Sequence, residues 1–289
     1  MLGYFKKFTS HIQSLLAPVG VNCLTCGKRA TLLREPYGIC EACYKAIPWI
    51  LTPRCIRCGR GIGCPDCSRS ADERRYFIAN RSAVFYDKRM REWLAQYKYR
   101  GQERYAPLLI KMLDQAFDIM VREYHDRSLK HSRLRGNKDT KQGETLTWKI
   151  DIVTSVPVSG QRLVERGFNQ AEVLGRGIAL KRNIPYAELL IRERHSDKQS
   201  FKNRATRIKD MKDVFMINLN TAEKIVNSGS KDLQDGMKEN SIITPLRILL
   251  VDDIYTTGST VNACSRMLHR WASTIQIPIE VFSLTWARS

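Results

Sequence analysis

Ile248-Leu249-Leu250-Val251-Asp252-Asp253-Ile254-Tyr255-Thr256-Thr257-Gly258-Ser259-Thr260 decides the fold class of this chain. Four apolar residues lead straight into two adjacent carboxylates, and a short turn of hydroxyls and one glycine follows. A continuous apolar run of this kind reads as a parallel strand buried on both faces. Beyond it, Val261, Cys264, Leu268 and Trp271 recur at helical spacing, one face of an amphipathic helix. The order is strand, acidic tip, turn, helix. In open α/β sheets ligands bind outside the carboxyl ends of the strands.

Backbone N–H groups in a tight turn before a helix form a nest for an anion, and the helix N-terminus adds partial positive charge. Gly258 lets the backbone approach a phosphate with no Cβ in the way. Thr256, Thr257, Ser259 and Thr260 add hydroxyl donors. Asp252 and Asp253 repel a phosphate; they suit ribose hydroxyls, or a Mg²⁺ that also touches the ligand. A sugar diol beside a phosphate monoester satisfies both halves. The plain alternative is a strand end with two solvated aspartates and an ordinary N-cap, and the completeness of the run argues against it. The run resembles the PRPP-binding motif of type I phosphoribosyltransferases, where PRPP is phosphoribosyl pyrophosphate. That resemblance implies that Asp252 and Asp253 hold the ribose hydroxyls and that Thr256 to Thr260 wrap the 5′-phosphate.

Eight of nine cysteines fall in four C-x-x-C pairs: Cys23/Cys26, Cys40/Cys43, Cys55/Cys58 and Cys64/Cys67. Each pair places two sulfurs on one knuckle, and two knuckles complete a closed tetrahedral Cys₄ site for structural Zn²⁺. Sequential pairing gives two such sites; interleaved pairing is compatible with the same spacing. A disulfide framework would require an oxidising compartment, and Met1 to Gly20 lacks the apolar centre and cleavage site of an export signal. The ninth cysteine, Cys264, is expected in the core.

The chain has 289 residues, 43% of them hydrophobic, enough for one α/β domain and a small module. No run of about 18 apolar residues suggests a membrane span, and a cytoplasmic location is the expectation. The formal net charge is +19, which draws polyanions: nucleic acid, phosphorylated ligands or an anionic membrane surface.

Elsewhere the pattern alternates strand and helix. Ala83 to Tyr86 reads as a strand, and Met90, Trp93, Leu94 and Tyr97 as a helix face. Leu109, Met112, Leu113, Ala116 and Met120 mark a longer helix. Ile152-Val153-Thr154 is a buried strand, Leu174 and Ile178 belong to the next helix, and Ile275, Ile277, Ile279 and Val281 alternate as a terminal strand. Two polar stretches, about 125–149 and 218–240, read as surface insertions. The loop after Ile152 carries Val158 and Ser159, then Arg162 and Arg166, whose guanidinium groups suit phosphate oxygens. Taken alone, an ordinary loop with exposed arginines is the better reading; in the phosphoribosyltransferase plan a loop at this place holds pyrophosphate.

Arg166-Gly167-Phe168-Asn169-Gln170-Ala171 resembles the R-G-F-N-Q-A signature of the ComF family. Gln199-Ser200 followed by Arg207 and Phe215, and the Lys-Tyr-x-Gly stretch at Lys98 to Gly101, resemble it too. The resemblance covers nearly the whole chain in order. It implies an α/β, type I phosphoribosyltransferase-like parallel sheet flanked by helices, preceded by a small double zinc-ribbon-like module. The expected organisation is an N-terminal segment (1–20), a Cys-rich module (21–70) and the phosphoribosyltransferase-like domain (76–289). Gln199 and Arg207 fall in the expected hood over the site. Asp210 and Asp213 stand where the family usually has Asn and Gly, which places acceptor contacts there in doubt.

The resemblance further implies PRPP as ligand with Mg²⁺, and the handling of single-stranded DNA in natural transformation, with a helicase or recombination protein as partner. The alternative is an active phosphoribosyltransferase for a purine or pyrimidine base in nucleotide salvage. In that case pyrophosphate leaves the ribose C1, aided by Arg162 and Arg166, and a nitrogenous acceptor attacks. Lys98, Tyr99 and Arg100 mix charge and aromatics as single-strand binders do, and equally read as a helix end with snorkelling side chains.

Overall fold

The computed structural model describes residues 21–30, 38–62, 64, 67, 75–99, 103–134, 148–192, 214–226 and 245–289. The chain forms two compact units, Met1–Ile47 and Pro48–Ser289. This boundary falls between the two sets of cysteine knuckles.

In the first unit, β1 (Val21–Asn22) pairs antiparallel with β2 (Arg29–Ala30), and Cys40 is the N-cap residue of α1 (Glu41–Lys45). The turn between the strands is the first knuckle: Gly27 N–H donates to Cys23 O at 2.9 Å, and Gly27 adopts φ 70°.

The second unit is built on a four-stranded, all-parallel sheet in the order β3 (Ala79–Phe85), β8 (Ile279–Arg288), β7 (Leu246–Tyr255), β4 (Ile152–Ser155). Its central strand β7 carries the opening motif, with Ile248 to Val251 fully buried as the apolar run requires. Both sheet edges gain short partners. Trp49 bridges Val84 in antiparallel fashion, and Tyr186 bridges Val153 in parallel.

Helices cover the faces. α2 (Lys88–Tyr99) buries Met90, Trp93, Leu94 and Tyr97, the expected face. α3 (Ala106–Leu134) packs on β3 and β8, and α5 (Gln170–Arg182) on β7, β4 and α3. α6 (Ser259–Thr274) lays Val261, Cys264, Leu268 and Trp271 against Ile248 and Leu250 in one apolar cluster. A short helix, α4 (Gly160–Arg166), follows β4, and residues 219–226 are helical. Apart from the sheet, β5 (Leu190–Arg192) pairs antiparallel with β6 (Phe215–Ile217). Among the described residues no helix is long and apolar enough to cross a membrane.

Two expectations are corrected. Helix α3 runs through Leu134, so helix replaces the start of the expected polar insertion; Trp148, at its other end, is a core residue stacked on Tyr124 with ring centroids 5.3 Å apart. The terminal strand begins at Ile279, not Ile275, and is buried almost continuously instead of alternating. The cause is its place: β8 lies between β3 and β7, with α3 on one face and α6 on the other.

Candidate functional site

Each cysteine set closes on itself in sequential pairing. Cys23, Cys26, Cys40 and Cys43 form one cluster in the first unit; Cys55, Cys58, Cys64 and Cys67 form another in the second. Within each, every Sγ lies within 4.8 Å of the others. A tetrahedral Zn²⁺ with bonds of about 2.3 Å places its sulfurs about 3.8 Å apart. Cys26 and Cys40 sulfurs stand 3.9 Å apart, so the donor set fits that ion. The thiols of each cluster are moved in both directions: burial pushes Cys43 and Cys58 up to about 12. Burial acts on Cys23 upward, but the Thr25 hydroxyl and backbone amides outweigh it and bring the thiol down to about 6. Cys55 is brought down to about 7 against its burial by the amides of Cys58 and Arg57. Both clusters can hold a structural zinc ion.

The second cluster is docked on the sheet. Asn80 N–H donates to Arg57 O at 2.6 Å, and Asn80 Nδ2 to Cys58 O at 3.3 Å. Gly59, at φ 70°, approaches so closely that a Cβ there would stand 2.5 Å from Asn80 O.

The acidic pair sits at the C-terminal end of β7. Asp252 Oδ1 accepts from the Asp253 amide at 2.8 Å, and Asp253 Oδ2 pairs with Lys98 Nζ at the end of α2. Both partners of that ion pair are mostly withdrawn from solvent, with 14% and 17% of their side chains exposed. Burial first, then the neighbouring Asp253 charge, pushes the Asp252 carboxyl up to about 8; Lys98 and Arg162 pull the other way. Lys98 therefore faces the acidic pair rather than an outer basic surface. The Tyr99 side chain and Arg100 lie outside the described residues, as do Gln199 and Arg207. The carboxylates are hard oxygen donors, which fit a Mg²⁺ carried in with a ligand.

The turn after β7 has the geometry of a cradle. Gly258 adopts φ 85° and N-caps α6; a Cβ there would meet the Tyr255 hydroxyl oxygen at 2.1 Å. Thr256, Thr257 and Ser259 are exposed, and the Thr257 hydroxyl donates to Ser259 Oγ at 3.1 Å. Thr260 is half-buried in the first turn of α6, where Asn262 N–H donates to Gly258 O at 2.8 Å.

The neighbouring strand β4 delivers the second loop. Val158 is half-buried, and Ser159 N-caps α4 by accepting from the Arg162 amide at 3.3 Å. Arg162 is exposed and near enough to Asp252 and Arg192 to act on both charges. Arg166 Nη1 donates to Gln170 Oε1 at 2.8 Å.

The Arg166–Ala171 signature is thus a structural clamp. Gly167, at φ 78°, ends α4, and Asn169 N-caps α5 while its Nδ2 donates to Val156 O at 3.2 Å. Phe168 packs edge-on to Tyr97 at 5.4 Å, and the Tyr97 hydroxyl donates to Gln170 O at 3.1 Å. Through Phe168 and the Gln170 carbonyl the signature ties the corner between α4 and α5 to Tyr97, the neighbour of Lys98. Sequence reasoning passed over Tyr255 and Arg288. The one signal for Arg288 was a charge at the end of an otherwise apolar and hydroxyl-bearing strand.

No family model matches the chain. It is similar to competence protein ComFC of Streptococcus pneumoniae, 23% identical over 229 residues, 79% of each chain. ComFC of Bacillus subtilis is 25% identical over 244 residues, 82% of this chain and 80% of that one. DNA utilization protein YhgH of Salmonella typhi is 24% identical over 253 residues, 86% and 92% of the two chains. A crystal structure of adenine phosphoribosyltransferase, 16% identical, covers 56% of this chain and 78% of its own with a TM-score of 0.22, too slight a likeness to carry an argument. In its two Cys₄ clusters and its parallel sheet, and along most of its length in sequence, the chain is similar to these competence proteins.

Proposed function

We propose that this ComF-like chain binds PRPP at the end of β7 and acts in the handling of single-stranded DNA during natural transformation. One juxtaposition carries the reading: Asp252 and Asp253 lie near the C-terminal end of the central strand, the Gly258 turn opens α6 beyond it, and Arg162 stands in α4, the helix after the adjacent strand β4. The acids take the ribose diol, the turn amides and hydroxyls take the 5′-phosphate, and Arg162 meets the pyrophosphate. Lys98 holds Asp253 in place before the ligand arrives. Mg²⁺ bound with PRPP supplies charge neutralisation on the pyrophosphate oxygens. The competence and DNA-utilization names of the relatives, with the net charge of +19, support the DNA role.

Titration of the zinc-loaded protein with PRPP and Mg²⁺, and with a labelled DNA single strand across a salt series, tests both halves. Saturable PRPP binding is expected, with DNA affinity that falls steeply as salt rises. The double variant Asp252→Asn, Asp253→Asn is expected to abolish PRPP binding with zinc content unchanged, and retained affinity there would refute the site. PRPP binding without DNA affinity, together with base-dependent pyrophosphate release, would move the assignment to a salvage transferase.

A further inference from the structure

Arg288 joins the second cysteine cluster to the turn beyond β7. It ends β8, is 2% exposed, and lies in register beside Tyr255. Its Nη1 donates to Tyr255 O at 3.3 Å, to Thr256 O at 2.5 Å and to Ser289 O. Its Nη2 reaches Cys58 Sγ at 3.8 Å. The guanidinium carbon stands 4.6 Å from the centre of the Tyr255 ring, whose hydroxyl lies against Gly258. Phe77 packs edge-on to the same ring at 6.2 Å. A second arginine, Arg75, donates to Cys67 Sγ at 3.0 Å.

Peptide planarity gives this contact a consequence. The carbonyl and N–H of a trans peptide point in opposite directions. Holding Tyr255 O and Thr256 O towards Arg288 therefore aims the amides of Thr256 and Thr257 away from it. Those are amides of the proposed phosphate turn.

We propose that Arg288 is a positioning residue through which metal in the Cys55/Cys58/Cys64/Cys67 cluster sets the affinity of the turn for a phosphate monoester. The inference rests on the phosphate reading of that turn. A metal-bound Cys58 is a thiolate and accepts a charge-assisted hydrogen bond, which fixes one end of the guanidinium fork. Without metal the sulfur is a weak acceptor, and the fork loses that anchor.

Coupling between two sites is reciprocal, so ligand on the turn must also hold the metal. In the zinc-loaded chain, saturating ribose 5-phosphate is expected to slow one of two zinc-release phases to a chromophoric chelator by about fivefold or more. Arg288→Lys keeps the charge and loses the fork; there the ligand slows neither phase. Hydrogen exchange gives a ligand-free readout. Stripping zinc from the wild-type chain, or the Arg288→Lys change, speeds exchange at residues 256–260 and leaves 152–155 in β4 unchanged. Unaltered exchange at 256–260, or equal acceleration in β4, overturns the coupling. If ribose 5-phosphate does not bind, the phosphate reading fails while exchange still decides the coupling. Should Arg288→Lys not fold, the two wild-type measurements decide it.

Discussion

Gly258→Ala tests whether the turn beyond β7 is the built cradle described above. Two costs follow from the structure. The φ of 85° is left-handed, a region that costs a residue with a Cβ about 1–2 kcal/mol. The new methyl would also stand 2.1 Å from the Tyr255 hydroxyl oxygen and 2.6 Å from Cζ. Tyr255 is 2% exposed and flanked by Phe77 and Arg288, and overpacking against a buried ring costs about 1–3 kcal/mol. The variant should lose about 2–5 kcal/mol by urea unfolding of the second unit. A double-mutant cycle separates the parts. In a Tyr255→Phe background the hydroxyl overlap is gone, so Gly258→Ala should cost about 1 kcal/mol less while the backbone share stays. PRPP affinity should fall at least about tenfold, since 1.4 kcal/mol of misplacement suffices. A Gly258→Ala protein within about 0.5 kcal/mol of wild type, with full affinity, would refute both the left-handed turn and the cradle.

Two further outcomes are expected. The Asp252 carboxyl is raised to about 8 in the folded state, against an ordinary 3.8, so the folded chain keeps a proton that the unfolded chain has lost. Its contribution to stability is present below about pH 4 and is lost as pH rises through about 8; thermal melts of the ligand-free protein should show that decline, and Asp252→Asn should flatten it. Arg182 donates to Asp114 Oδ1 at 2.5 Å and to Asp118 Oδ1 at 2.6 Å, tying α5 to α3, and Asp114 is 5% exposed. Arg182→Ala should cost about 1.5–3 kcal/mol in urea unfolding, because Asp114 and Asp118 lose charge-assisted hydrogen bonds, and unchanged stability would refute that role and leave Lys181, 3.5 Å from Asp114, as the partner.

Much of the site was legible because its signals are local. The apolar run, the acid pair and the glycine turn are consecutive, and their chemistry follows from residue types in order. The helix face of α6 and the C-x-x-C knuckles have fixed short spacings, so periodicity and metal geometry read them directly. Reading failed where burial depends on distant neighbours. Ile275 and Ile277 were placed in a half-buried strand, but β8 is central and begins later. Trp148 ends a stretch that is polar in composition, yet Tyr124 and Phe282 pack against it. Lys98 read equally well as a surface cation; its place depends on α2 ending beside β7.

By itself the sequence determined the α/β class, the eight candidate zinc ligands and the acidic strand tip followed by a glycine turn, because each is written within a few consecutive or regularly spaced residues. Tertiary structure alone decided that the cysteines pair sequentially, that the second cluster rests on β3, and that Arg288 lies between Cys58 and the turn. Those contacts join residues as much as 230 positions apart. The longest of them follows from the parallel sheet, which lays the end of β8 beside the end of β7 and seats the second cluster on β3 regardless of their order in the chain.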